Sequence, residues 1–182
     1  MCTPAPPSCS AAMVRALPLD GNRYETVYGE LLVTPAPRPL HELIQDRFAS
    51  ALREYLKREP VGHLWGSRSD ISWSPDTLVQ PDCFVVPLDE ARTLDWARMQ
   101  SLLLAVEVLS PSSARADRFT KRRLYQTQRI PFYWVVDCEA RAVEVWTPDA
   151  LIPAIETTRI AWHPAGASQP CVVELEEIFA PL

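Results

Sequence analysis

From Leu102 to Leu109 the chain runs Leu-Leu-Leu-Ala-Val-Glu-Val-Leu, apolar without alternation except at Glu107. Such a run suits a central strand covered on both faces. Elsewhere the pattern has a period. Arg23 to Thr34 alternates polar and apolar residues around Gly29, as a hairpin or a bent pair of strands does, and Pro35, Pro37 and Pro39 end it. Leu40, Leu43, Ile44, Phe48, Ala51, Leu52, Tyr55 and Leu56 recur at helical spacing with charged residues mostly opposite, which predicts an amphipathic helix. Pro39 suits its first turn and Pro60 stops it. His63 to Trp73 reads as a strand, Ser74 to Thr77 as a turn, and Leu78 to Val86 as the second strand of a meander. Asp89 to Gln100 is a polar connection or short helix. After the apolar run, Ser110-Pro111-Ser112-Ser113 offers an N-cap for a helix from about Ala114 to Gln128. Phe132 to Asp137 and Ala142 to Thr147 form a predicted hairpin, and weaker strands follow near Ile155 to Trp162 and Cys171 to Leu175. Hairpin strands together with one apolar strand that leads into a crossover helix describe an α/β fold with a mixed sheet.

With 182 residues, 47% of them hydrophobic, the chain can bury one good core, and a single domain over residues 19–182 is the simplest expectation. Residues 1–18, rich in Pro, Ala and Ser, read as a disordered arm whose removal leaves the fold intact. No segment approaches the roughly 20 apolar residues of a membrane span, so a soluble, cytoplasmic protein is expected. The five cysteines are scattered and form no Cys-x-x-Cys pair, which points to neither a zinc knuckle nor a disulfide framework. Cys83 and Cys138 read as core residues of a protein in a reducing compartment.

A net charge of −5 argues against a protein that coats nucleic acid by bulk electrostatics. Charge is nonetheless uneven. Between Arg115 and Arg129 the basic residues Arg115, Arg118, Lys121, Arg122, Arg123 and Arg129 face the single acid Asp117. Several activities lack their residues. The five glycines form no phosphate loop, there is no Gly-x-Ser-x-Gly serine elbow, and His41-Glu42-Leu43-Ile44-Gln45 misses the second histidine of a zinc-protease helix.

Two acids stand in apolar company: Asp82 in Val79-Gln80-Pro81-Asp82-Cys83-Phe84-Val85-Val86, and Glu107 in the run described above. An ionised carboxylate taken out of water costs several kcal/mol unless it is compensated, so two of them call for a positive partner. Either each pairs separately with an arginine at a strand end, or both share a divalent cation. Adjacent strands lie about 4.8 Å apart, so Asp82 and Glu107 can meet on one ion if they point to the same face. Carboxylates, water and a main-chain carbonyl, with Val108 as the candidate, form a common set for magnesium or manganese. On the following helix Asp117, Lys121 and Tyr125 recur every four residues and share a face. Lys121 there can reach back toward Glu107 to orient or deprotonate water or to neutralise charge. An ordinary surface pair between Asp117 and Lys121 is the other reading of that spacing.

Taken together, these segments resemble a known family. Tyr24-Glu25 with Gly29-Glu30, Pro35-x-Pro37 followed by His41, Gln80-Pro81-Asp82, Glu107-Val108-Leu109-Ser110-Pro111, Asp117 with Lys121 and Tyr125, and Pro131-x-Tyr133-Trp134-Val135-Val136-Asp137 are similar in order and spacing to the Uma-two family of restriction endonuclease-like proteins. The resemblance runs from about Arg23 to Thr147. It implies a restriction-endonuclease-like core of the PD-(D/E)XK superfamily, with extra N-terminal strands here, and magnesium- or manganese-dependent cleavage of DNA. It further implies Asp82 and Glu107 as metal-binding catalytic acids and Lys121 in place of the superfamily's strand lysine, whose position holds Leu109. Glu30, His41, Asp117 and Tyr125 become supporting candidates. Arg115, Arg118 and Arg122 become candidate contacts to the nucleic-acid backbone. Arg129 stands where relatives tend to have a helix-closing glycine. Cutting both DNA strands would be easier for a homodimer. The rival expectation is a catalytically silent nuclease-fold module that binds nucleic acid or a protein partner, which the lysine missing from its usual place would explain.

Overall fold

A computed structural model describes residues 8–182. The expectation of disorder for residues 1–7 lies outside the described residues. The apolar run forms the centre of the molecule. It becomes β7 (Leu104–Val108), buried at every residue, between β6 (Cys83–Pro87), antiparallel to it, and β8 (Tyr133–Asp137), parallel to it. With β3 (Gly62–Gly66), β9 (Ala142–Trp146) and β10 (Ala154–Glu156) these strands make a six-stranded mixed sheet in the order β10-β9-β8-β7-β6-β3. A parallel pair needs a crossover, and the helical segment after β7 supplies it.

Alternation along β7 decides what each face meets. Leu104, Val106 and Val108 pack against Ile44, Phe48 and Leu52 of α2 (Pro39–Arg58), the predicted amphipathic helix. Ala105 faces the other core with Leu124, Tyr125, Tyr133 and Val135. Glu107 shares the parity of Ala105 and so projects to that second face.

The expected meander differs. Leu78 to Val86 is not one strand: β5 (Thr77–Val79) and β6 are separated by Gln80-Pro81-Asp82 and belong to different sheets. Pro81 has no N–H to give to a ladder, so pairing stops and the chain crosses over. Asp82 therefore sits at the joint between sheets, one residue before β6, and not in the middle of a strand. His63 to Trp73 divides in the same way into β3 and β4 (Ile71–Ser74), through a turn in which Arg68 is held at φ 67°. The second sheet has the order β2-β1-β5-β4. Its β1 (Arg23–Val27) and β2 (Glu30–Thr34) form the predicted hairpin, closed by Tyr28 and Gly29 at φ 52° and 80°. Two consecutive left-handed residues match the twist of the paired strands.

After β7 the chain is helical, as expected, but its winding is irregular. Ala116–Lys121 is a π-helix that runs into α3 (Arg122–Thr127). Arg129 then adopts φ 57° and closes the helix in the conformation usually given to glycine, with its guanidinium on Asp149. The terminal strands β11 (Arg159–Trp162) and β12 (Cys171–Glu174) pair with each other, and Trp162 meets Tyr55 of α2. No helix among the described residues is long and apolar enough to cross a membrane.

The expected disordered arm is ordered from residue 8 onward. Ser10 caps α1 (Ala11–Arg15) by accepting from the Met13 amide, and Cys9 and Ala11 donate backbone hydrogen bonds to Gly29 and Pro75. Cys9, Ala11 and Val14 bury themselves over Leu78. Ala11 and Val14 on one face of α1, with Cys9 just before its cap, supply the apolar contacts that hold this segment despite its Pro-rich composition. This docking covers one face of the small sheet, so Val14→Ala is expected to lower stability by about 2 kcal/mol in urea unfolding. An unchanged midpoint would mean that the segment contributes nothing.

Candidate active site

Four carboxylates and two fixed cations meet in the seam between the two sheets. Glu25 comes from β1, Asp82 from the joint before β6, Glu107 from β7 and Asp117 from the π-turn, and all four are buried to within 1% of full burial. Lys121, equally buried, places Nζ 2.9 Å from Glu107 Oε1, 2.7 Å from Glu25 Oε2 and 3.3 Å from Asp117 Oδ1. Arg23, two residues before Glu25 on the same face of β1, places Nη1 2.6 Å from Asp82 Oδ1, Nε 3.7 Å from Glu25 Oε2 and Nη2 3.8 Å from Glu107 Oε2. One guanidinium thus lies against three acids from three segments.

Hydrogen bonds hold the acids in position. The Val108 amide donates to Asp82 Oδ2 at 2.7 Å, His41 Nε2 lies 3.1 Å from the same oxygen, and Gln45 Nε2 donates to the Asp82 carbonyl. The Gln80 amide donates to Glu25 Oε1, Tyr125 Oη to Glu107 Oε1 and Tyr133 Oη to the Asp117 carbonyl. Not every atom is satisfied: Glu25 Oε2, Glu107 Oε2 and both Asp117 oxygens lack an aligned hydrogen-bond partner.

The charges are unbalanced. Four carboxylates against Arg23 and Lys121 leave two negative charges over, or one when His41 is protonated. Protonation states respond to this. Burial works to raise the Asp82 pKa, but the charge of Arg23 and the His41 hydrogen bond outweigh it and hold Asp82 far below the usual carboxylate range. Glu107 goes the other way: burial, with Asp117 and Asp82 beside it, raises its pKa well above the usual value despite Lys121. Burial raises Asp117 as well. Lys121 remains protonated, since Glu107, Glu25 and Asp117 more than offset its burial.

A model of the Uma2 family, described as "Putative restriction endonuclease", matches residues 12–169. The chain belongs to the Uma2 family. A crystal structure described as a putative nuclease belonging to DUF820, from Anabaena variabilis, has the same fold: the TM-score is 0.75 at 18% identity, over 94% of this chain and 97% of that one. Comparison with curated proteins gives no match.

In this Uma2 chain Asp82, Glu107, Lys121, Asp117, Tyr125 and His41 come together, although Pro81 moves Asp82 off its expected strand. Lys121 and Asp117 are fully buried, so their pairing is not the surface contact that their spacing also allowed. Val108 meets Asp82 through its amide. Glu30 is exposed at the start of β2, outside the cluster. The basic helix is largely committed inside the protein: Arg118 bonds Glu144 at 2.6 Å and Asp137 at 2.8 Å, and Arg122 lies 4.7 Å over the Trp146 ring. Arg115 is exposed. Sequence reasoning missed Arg23, Glu25 and Gln45. The parity of Arg23, Glu25 and Val27 on β1, beside the quoted Tyr24-Glu25, was the available signal.

The His41 contact has a pH signature. Burial lowers the His41 pKa, but the Asp82 hydrogen bond and charge outweigh it, and the folded value lies above 6.5. A raised value gives stability that is complete below about pH 6.5 and is lost as the pH rises through the folded pKa. Thermal melts of the metal-free protein should show His41→Gln lowering Tm most near about pH 5.5 and least near about pH 9. A difference independent of pH would contradict an ion pair with Asp82.

Proposed function

We propose that the protein is a divalent-metal-dependent nuclease that hydrolyses phosphodiester bonds of DNA at the Asp82–Glu107 cluster. One observation carries the proposal: Asp82 Oδ1, Glu25 Oε2 and Glu107 Oε2 surround a single guanidinium, and the cluster still carries excess negative charge. Arg23 acts as a stand-in cation. Its surroundings are hard oxygen donors, two of them without an aligned hydrogen bond, which suits magnesium or manganese. Asp82 and Glu107 would hold the metal, with Glu25 as a third donor in reach of the same centre. Bound there, the metal supplies Lewis acidity at a phosphoryl oxygen and makes water a better nucleophile at neutral pH.

The chain's own groups have separable tasks. Asp82 is ionised at all relevant pH values and is aimed by His41 and the Val108 amide. A cation at Glu107 would favour its ionised form, opposing the burial and the neighbouring Asp117 and Asp82 charges that raise its pKa. Lys121, protonated and held by three carboxylates, cannot accept a proton and instead neutralises charge. It compensates Glu107 from the helix, where the superfamily's usual lysine compensates from the strand.

A second reading, the silent nuclease-fold module, draws on a different observation. Among the described residues no three His, Cys, Asp or Glu side chains are already arranged to hold a metal, because Arg23 and Lys121 engage the acids. Supercoiled plasmid separates the two readings. Wild-type protein with magnesium or manganese is expected to nick it, while Asp82→Ala and Glu107→Ala, checked for folding by circular dichroism, fall to background. Folded wild type that cuts neither plasmid nor single-stranded DNA favours the silent module.

A further inference from the structure

The helix that looked like the nucleic-acid contact has spent Arg118 and Arg122 on internal partners. Another set of arginines is available. A cleft of about 480 Å³ ends on Asp82, with Arg23, Arg38, Arg68, His41 and Ser112 along its walls. The volume is in the range of ligand pockets, about 300–1,000 Å³, which suits the backbone of one strand better than a whole duplex.

The arginines come from three unrelated segments. Arg23 forms part of the inner wall beside Asp82. Arg38 is the residue before α2, has extended backbone angles, and does not use its side chain to cap that twenty-residue helix. Arg68 is exposed in the β3–β4 turn and held at φ 67°, a conformation unusual for a residue other than glycine. Among the described residues neither Arg38 nor Arg68 has a carboxylate within ion-pair distance. Glu42, largely exposed, is the other acid on the cleft besides Asp82. The N-terminus of α2 adds partial positive charge at the same wall.

His41 supplies a second kind of observation. It is more than nine-tenths buried and gives Nε2 to Asp82, while its buried Nδ1 has no hydrogen-bond partner. With Nε2 turned to Asp82, Nδ1 has no acceptor within hydrogen-bond reach, the Glu42 carboxylate lying 3.9 Å away. A phosphate oxygen in the cleft is such an acceptor, and guanidinium groups recognise phosphate with paired hydrogen bonds.

We infer that this cleft is the binding path for a phosphodiester backbone, with Arg38 and Arg68 as the phosphate contacts that lead the strand to Asp82. The inference rests on the nuclease reading for the chemistry at Asp82, but binding itself is tested separately. Phosphodiester is common to DNA and RNA, so the probes are a labelled single-stranded DNA 15-mer, its duplex and the RNA of the same sequence, followed by fluorescence anisotropy of the full chain in EDTA.

Arg38→Ala/Arg68→Ala is expected to weaken the best-bound probe about tenfold or more and to reduce the slope of log affinity against log salt by about two. Its Tm should match wild type. Arg115→Ala/Arg123→Ala, on the exposed side of the basic helix, should bind as wild type does. Loss of binding in Arg115→Ala/Arg123→Ala alone would overturn the inference, as would wild-type binding by Arg38→Ala/Arg68→Ala or no binding of any probe by the wild type. Binding that depends on Arg38 and Arg68, with plasmid left uncut, would uphold the cleft and remove the nuclease reading instead.

Discussion

A lysine with no access to water, enclosed by three carboxylates, is the constraint around which the molecule is arranged. An unpaired charge at such depth costs several kcal/mol, so Lys121, Glu107, Glu25 and Asp117 can be buried only together. Because the acids come from both sheets and the crossover helix, the charge cluster joins the same elements that share the second apolar core. Breaks in regular structure meet here. Pro81 ends one sheet and frees Asp82 to face Glu107, and the π-turn carries both Asp117 and Lys121. Wide helical turns of this type are common at functional sites.

The cluster is not optimised for stability. Its carboxylates outnumber its cations, Glu107 is pushed toward its neutral form, and several buried oxygens lack partners. A purely structural ion network would be expected to balance its charges, or to be replaced by apolar packing at little loss. Excess negative charge on hard oxygens is instead the feature on which the proposed metal site rests. Arg23 offsets part of that charge, and its place on the wall of the cleft puts a positive group between the acids and whatever enters.

Much of this was legible from residue patterns. The unbroken apolar run located the central strand, the four-residue recurrence of Asp117, Lys121 and Tyr125 located the inward face of the crossover helix, and two acids in apolar company pointed to the buried charge cluster. What was not legible depended on distant contacts. Arg23 and Asp82 are 59 residues apart, and the parity of Arg23, Glu25 and Val27 places them on one face of the hairpin without telling which acids that face meets. Composition misled at the N-terminus, where Cys9, Ala11 and Val14 find a surface over Leu78 that only the folded sheet provides. Local charge on the basic helix did not reveal the internal partners of Arg118, because Asp137 and Glu144 lie on strands that follow it in the chain.

The central proposal is that the acid cluster binds one divalent cation. Calorimetric titration of manganese into the full chain tests it most directly. The account predicts saturable binding near one ion per chain and loss of that binding in folded Asp82→Asn. Absence of saturable binding, or binding that Asp82→Asn leaves unchanged, would contradict it.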